Sequence, residues 1–505
     1  MTLQHQTDWT AKWALYSPEQ VAVKEFESGK TLTYRALNSV ANRLAHYLCR
    51  DLSLAKGDRV AVLADNCIEY IVLFAAAQKT GIILVPLNYR LTSPEIDYLL
   101  DNAAPTLLVY EEKYVSLLEP CTQLRRIPHH WLLEALGDFC HPERRMPDDE
   151  AFPAVPIEED HPVFILYTSG TTGFPKGAIY SHKMLFWNSI NTAMSLVVNA
   201  GSRTVNCMPP FHTGGWNVLT TPFLHHGGYV CLLKKFDAEE LLRALQEEQP
   251  TIFMGVPTML RMVAECPGFA EADLSSLLYV IVGGEPMPIP LIETWHEKGV
   301  FIRQGFGMTE VGPNLTSLHH QDAVRKKGSI GRPNFYVEIR LQGPDEQEVA
   351  RHEPGELLLR GPMVTPGYWR NPEATAGAIR NGWYHSGDMV RMDDEQYLYV
   401  VDRIKNMFIS GGENVYPAEI ERVLAAHPGI AAAAVIGVPD PKWGEVGKAF
   451  VVLNPDAGLD TPQLLEYCTT HLAKYKIPKS FLFVGELPLS PTGKINRLAL
   501  RDWEG

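Results

Sequence analysis

From residue 58 onward the hydrophobic positions fall into short unbroken runs separated by longer mixed stretches, and the two lengths alternate. Residues 58–63 (DRVAVL), 82–86 and 106–110 are too short for buried helices and rich in aliphatic side chains, so they predict strands. Residues 68–79 and 95–102, which lie between them, have helical length. The rhythm resumes after a polar, Pro-bearing stretch at 141–161, with a strand at 163–168, a helix at 183–198 and a strand at 229–233. Further strands are expected at 252–256 and 277–282, each leading into a helical pattern. Such β-α alternation predicts an α/β fold, with a largely parallel sheet covered on both faces. The character changes after about Gly328: 337–341, 355–360 and 396–402 read as antiparallel strands between Gly and Pro turns. A last βα-type piece follows, with a helix at 417–426, strands at 431–438 and 448–453 and a helix at 462–472. A boundary is predicted at 402–406, where a strand runs out into a charged stretch.

Composition narrows the class. The chain has 505 residues, a net charge of −14 and 46% hydrophobic residues, which excludes a disordered or disulfide-scaffold protein. The acidic balance argues against a nucleic-acid partner, which needs a basic footprint. Apolar runs such as 81–87 fall far short of the ~20 residues that a membrane span needs, so no transmembrane segment is expected. The opening MTLQHQTDWT lacks the basic and apolar regions of a secretory leader. Eight scattered Cys without a C-x-x-C pair point to reduced thiols and a cytoplasmic location. Peripheral contact with a membrane and a homodimer remain compatible with these features.

The chemistry concentrates first in Tyr167-Thr168-Ser169-Gly170-Thr171-Thr172-Gly173-Phe174-Pro175-Lys176-Gly177, directly after a predicted strand. Its glycines let the backbone turn tightly beside a ligand, its hydroxyls supply donors and Lys176 supplies a cation. A polyphosphate suits that composition, although a Gly/Ser/Thr surface turn has the same letters. It is not the G-x-x-x-x-G-K-[ST] loop, because Pro175 stands where the second Gly is needed.

With this loop the chain resembles the adenylate-forming superfamily, which includes acyl-CoA synthetases, aryl-CoA ligases, luciferases and peptide-synthetase adenylation domains. The resemblance covers nearly the whole length and rests on further matches in order. These are Pro209 to Gly215 (PPFHTGG), Gly283-Gly284-Glu285-Pro286, Gln304-Gly305-Phe306-Gly307-Met308-Thr309-Glu310 and Gly382 to Asp388 (GWYHSGD). Asp402-Arg403-Ile404-Lys405, Ser410-Gly411-Gly412-Glu413-Asn414 and Pro491 to Ile495 (PTGKI) complete the set. The resemblance implies a large N-terminal domain (1–401) of layered α/β sheets plus a distorted β-barrel. It also implies a hinge at 402–406 and a smaller mobile α+β domain (407–505) carrying a catalytic lysine.

The implied reaction joins a small-molecule carboxylic acid to CoA at the expense of ATP, through an acyl-adenylate and with Mg²⁺. By resemblance, Thr168, Ser169, Gly170, Thr171, Thr172, Gly173 and Lys176 hold the β- and γ-phosphates, Glu310 with Thr168 holds Mg²⁺, and Thr309 meets the α-phosphate. Asp388 and Arg403 take the ribose. Gly284, Glu285 and Pro286 on one side and Phe306 on the other enclose adenine, with Gln304, Gly305, Gly307 and Met308 in the same motif. Lys494 serves adenylation. His212 lies between the acid and the nucleotide, unless it is simply a hydrogen-bonded structural His. The pairs His129-His130, His225-His226 and His319-His320 lack metal-site spacing and read as solvated or structural.

Phe211, His212, Gly214, Trp216, Val256, Gly283, Gly307 and Val311 line the implied acyl pocket, and its segments contain no Arg, Lys or Asp. An apolar pocket favours medium- or long-chain fatty acids, with coumarate- or ferulate-like aryl acids as the alternative. Trp216 either floors the pocket or belongs to the core. Lys405 matches the hinge position, against the plainer reading of an exposed linker charge. Ser410, Gly411, Gly412 and Glu413 would form the face that meets CoA. Transfer of the acyl group to a separate carrier protein, rather than to CoA, stays open.

Overall fold

The strand expected at 58–63 is Arg59–Leu63, inside a six-stranded sheet of the computed structural model. The structure describes residues 7–141, 151–168, 175–284, 287–410, 413–455, 457–489, 495–501 and 503. By contacts the chain forms two units, Met1–Glu338 with Leu359–Tyr384, and Ile339–Leu358 with His385–Gly505. Residues 402–406 fall within the second unit.

Three sheets build the first unit. The six-stranded sheet runs His129–Leu132, Leu107–Tyr110, Arg59–Leu63, Ile83–Pro86, Pro162–Thr168, Lys176–Ser181. All its pairs are parallel except the last, a hairpin. A second sheet orders Thr31–Thr33, Val21–Glu25, Tyr229–Leu232 and Arg203–Asn206. In the third, Ile252–Gly255, Tyr279–Val282 and Phe301–Phe306 are parallel, and Thr316–Ser317 and Arg332–Pro333 continue antiparallel.

The helix expected at 68–79 is Ile68–Thr80, and all thirteen of its residues are buried. Apolar character around the whole circumference is what such a position demands. It ends at Gly81, whose φ of +74° is a conformation that L side chains rarely adopt. Strands Val21–Glu25 and Thr31–Thr33 and the helix Tyr34–His46 were not legible in the alternation.

Of the histidine pairs, His225 has a defined structural part. Its ring stacks on Trp9 with centroids 4.1 Å apart, and its Nδ1 lies 2.8 Å from Ser189 Oγ. Burial pushes the imidazole down to about 3, so it stays neutral in the folded protein.

In the second unit, residues 388–392 of the strand Trp383–Met392 pair antiparallel with Leu398–Arg403, which sets Asp388 opposite Arg403. Further along, Ile430–Asp440 and Gly444–Leu453 form a long antiparallel pair, flanked by Phe408–Ser410 and by Ser480–Phe483. The helices Pro417–Ala425 and Thr461–His471 bury Ile420, Leu424, Leu464 and Cys468 with Phe408, Val435 and Val451.

Asp402 closes the strand before the expected hinge. Its carboxylate accepts from Asn406 Nδ2 at 3.1 Å and from the Ala418 amide at 2.7 Å, at the start of the helix Pro417–Ala425.

Candidate active site

The hairpin of Pro162–Thr168 and Lys176–Ser181 sets Thr168 directly opposite Lys176. Two of the expected phosphate contacts are therefore cross-strand partners at the base of the glycine-rich loop. Ser169, Gly170, Thr171, Thr172 and Gly173 lie outside the described residues, as do Glu285, Pro286, Gly411, Gly412 and Lys494.

Glu310 lies in the short turn Thr309–Val311 and is buried. Its Oε1 accepts from Thr168 Oγ1 at 3.2 Å and from Tyr368 Oη at 3.1 Å. Its carbonyl accepts from the Thr365 amide at 2.7 Å. Lys176 Nζ stands 5.5 Å from the centre of the Tyr368 ring. The structure thus brings Glu310, 142 positions after Thr168, to the Thr168–Lys176 pair and adds Tyr368.

The chemistry of this donor set fits Mg²⁺. Thr168 and Glu310 offer oxygens alone, and Mg²⁺ takes one or two carboxylates and completes its shell with water and phosphate. Among the described residues no group of three His, Cys, Asp or Glu is placed to hold a metal ion.

A second cluster sits where the parallel strands of the third sheet end. Gly255, Val282 and Gln304 are in register, so Val256, Gly283, Gly284 and Gly305 emerge side by side. Crevices at the carboxyl ends of parallel strands are the usual ligand sites of open α/β sheets. Gly284 has a φ of +86°, and a Cβ there would touch Val256 at 3.8 Å. A Cβ on Gly307 would lie 2.0 Å from the Pro313 carbonyl oxygen, so only Gly fits. Phe306, Met308 and Thr309 are half-buried. Gln304 is buried; its Oε1 accepts from the Met287 amide at 3.1 Å, while its Nε2 finds no partner among the described residues.

The expected acyl segments divide. Phe211 is buried against the edge of Tyr89, with centroids 5.0 Å apart, and His212 lies beside it, half-buried. Gly214 begins a π-helical turn, Gly214–Val218. A Cβ on Gly214 would meet Met208 and Met254 methyls at 3.4 and 3.9 Å, and one on Gly215 would lie 2.5 Å from the Pro209 carbonyl. Trp216 packs into the core with Tyr70, Phe74 and Phe164 and donates to the Pro210 carbonyl at 2.8 Å. Val311 is fully buried.

In the second unit, Arg403 Nε pairs with the buried carboxylate of Asp388 at 3.0 Å. His385 Nδ1 lies 3.0 Å from Glu356, whose other oxygen accepts from the Gly387 amide at 3.1 Å. Lys405 is exposed in the turn Ile404–Asn406. Ser410, buried, and Glu413, exposed, are partners across a two-stranded pair. Sequence reasoning passed over Tyr368; the one signal was its place in a Gly-Tyr-Trp triplet that no motif claimed.

The AMP-binding enzyme family matches residues 10–369, and the AMP-binding enzyme C-terminal domain matches 419–494. The chain is 40% identical to a feruloyl-CoA synthase of Amycolatopsis sp over 489 residues, covering 96% of both chains. It is 37% identical to the long-chain-fatty-acid–CoA ligase FadD13 of Mycobacterium tuberculosis, over 97% of this chain and 96% of that one. The solved O-succinylbenzoate coenzyme A synthetase of Bacillus subtilis, in complex with ATP and magnesium ion, superposes with a TM-score of 0.84. That structure is 31% identical and is matched over 98% of this chain and 99% of its own. The mixed α/β class, with a large N-terminal domain and a separate C-terminal one, is that of these structures. Among the described residues no helix is long and apolar enough to cross a membrane.

Proposed function

We propose, from the premise that the chain belongs to the AMP-binding enzyme family and is an adenylate-forming acyl- or aryl-CoA ligase, that its acid is compact and apolar. An aryl or medium-chain acid is favoured over a long-chain one. The observation that supports this is the packing of the PPFHTGG segment. A Cβ on Gly215 would lie 2.5 Å from the Pro209 carbonyl oxygen and Trp216 is locked in the core, which leaves little room for an extended chain there. The remaining walls, Phe211, Met254, Val256 and Met308, are apolar.

The first step is attack of the acid's carboxylate on the α-phosphorus of ATP, releasing pyrophosphate; the thiol of CoA then displaces AMP. The attacking carboxylate needs no base, because its reference pKa of ~4 leaves it ionised at neutral pH. The barrier is repulsion between two anions, so positive charge and positioning carry the catalysis. Thr168 and Lys176 hold the phosphates at the hairpin base. Glu310, with Thr168, holds Mg²⁺, which when bound neutralises phosphate charge. Asp388, oriented by Arg403, accepts from the ribose hydroxyls. Phe306 stacks on adenine, and Gln304, whose Nε2 has no partner among the described residues, lies in that same strand. Lys494 serves the first half-reaction, with turning at 402–406 about Lys405 exchanging it for the Ser410–Glu413 face in the second. A separate acyl carrier protein remains the alternative acceptor to CoA.

The acid preference is checked by CoA-dependent AMP release across a set of acids. Ferulate, coumarate and octanoate are expected to exceed palmitate in kcat/KM by about tenfold or more, the selectivity that pocket length supplies. Palmitate as the best substrate contradicts the compact pocket.

A further inference from the structure

We propose that Tyr368 is a positioning residue that holds the Glu310 carboxylate in readiness for the divalent cation. The proposal rests on the reading of Glu310 as a cation ligand. Two hydroxyls reach the same oxygen of Glu310, Thr168 at 3.2 Å and Tyr368 at 3.1 Å. Thr168 is itself a proposed ligand, and its hydroxyl also lies 3.4 Å from the Lys176 carbonyl. When it turns to phosphate or cation, its proton leaves Glu310. Tyr368 is the donor that stays.

The tyrosine is built for that task. Its one hydroxyl proton goes to Glu310, so the Tyr384 hydroxyl, 3.3 Å away, donates to Tyr368. Its backbone is fastened along the strand that begins at Lys176: Tyr368 bridges Ala178, the Ile179 amide donates to the Gly367 carbonyl at 3.0 Å, and the Trp369 amide donates to the Gly177 carbonyl at 2.7 Å. The Tyr368 amide donates to Thr375 Oγ1 at 2.9 Å. The Glu310 backbone is held by Thr365 from the same segment. A neutral phenol orients the carboxylate without cancelling its charge, whereas a lysine or arginine in its place would compete with the cation.

The test is Mn²⁺ binding to the protein–ATP complex, read from the spin-resonance signal of free Mn²⁺, with no acid or CoA present. Tyr368→Phe keeps the ring under Lys176 and removes only the hydroxyl. Its Mn²⁺ dissociation constant is expected to rise about 10- to 100-fold, the usual effect of losing an outer-shell partner of a metal ligand. Its melting temperature should match wild type, and pyrophosphate exchange should need correspondingly more Mg²⁺ for half-saturation. Tyr384→Phe is expected to give a smaller rise of the same sign and keeps the test open if Tyr368→Phe does not fold. Glu310→Gln separates the two levels. If it weakens Mn²⁺ binding while both tyrosine variants bind as wild type, the positioning role is overturned and the ligand role stands. If Glu310→Gln binds Mn²⁺ like wild type, the ligand reading fails, and this inference with it.

Discussion

Lys494→Ala is expected to lose acyl-adenylate formation by at least about a hundredfold, the scale of removing one charge-stabilising donor from a transition state. It should keep thioester formation from supplied acyl-adenylate and CoA. The reasoning is electrostatic: adenylation brings a carboxylate against a triphosphate, while the thiol step attacks the uncharged carbonyl of the mixed anhydride with the pyrophosphate gone. A cation placed for the first step therefore has little to do in the second. Pyrophosphate exchange measures one half and thioester formation from synthetic acyl-adenylate measures the other. Equal loss in both would refute a lysine dedicated to the first half-reaction.

Gly307→Ala is expected to cost adenylation about a hundredfold or more, with a lowered melting temperature. Its new Cβ would fall 2.0 Å from the Pro313 oxygen and 2.3 Å from the Pro313 carbonyl carbon. Backbone cannot yield as a flexible side chain does, so the loop Phe306–Glu310 must move. A displacement of about 1 Å at a reacting centre costs about that factor. Gly377→Ala is the control: a Cβ there meets nothing within 4 Å, and it lies in the helix Pro372–Ala378. Pyrophosphate exchange and thermal unfolding on both variants decide the matter, and wild-type exchange in Gly307→Ala would contradict the geometry.

What the sequence shows well is what local chemistry determines. Buried parallel strands read as unbroken aliphatic runs because both faces are covered, and so Arg59–Leu63, Tyr279–Val282 and their neighbours stood out. Thr168 and Lys176 were legible because they sit in a loop of unusual composition, and Glu310 only through the family resemblance. Trp383–Met392 was read for chemistry and not as a strand, because its Gly387 and mixed polarity (WYHSGDMVRM) hide the period of two. Tyr368 was invisible for a different reason. Its role comes from contact with a carboxylate 58 positions earlier and from pairing with Ala178, and no local pattern encodes either. The Asp402 contact with Ala418 is likewise a product of the fold. Trp216 stayed ambiguous for want of neighbours, and Tyr70, Phe74 and Phe164 supply them.

The central claim is that the acid is activated on ATP before any thiol takes part. A single-turnover rapid quench of the wild-type chain tests it, using excess enzyme, ATP labelled at the α-phosphate, Mg²⁺ and ferulate or octanoate, with CoA withheld. Acyl-adenylate and pyrophosphate should accumulate to near the amount of ATP supplied, and adding CoA should convert the adenylate to AMP and thioester. Absence of labelled acyl-adenylate until CoA is present, or release of ADP and phosphate, would contradict the account.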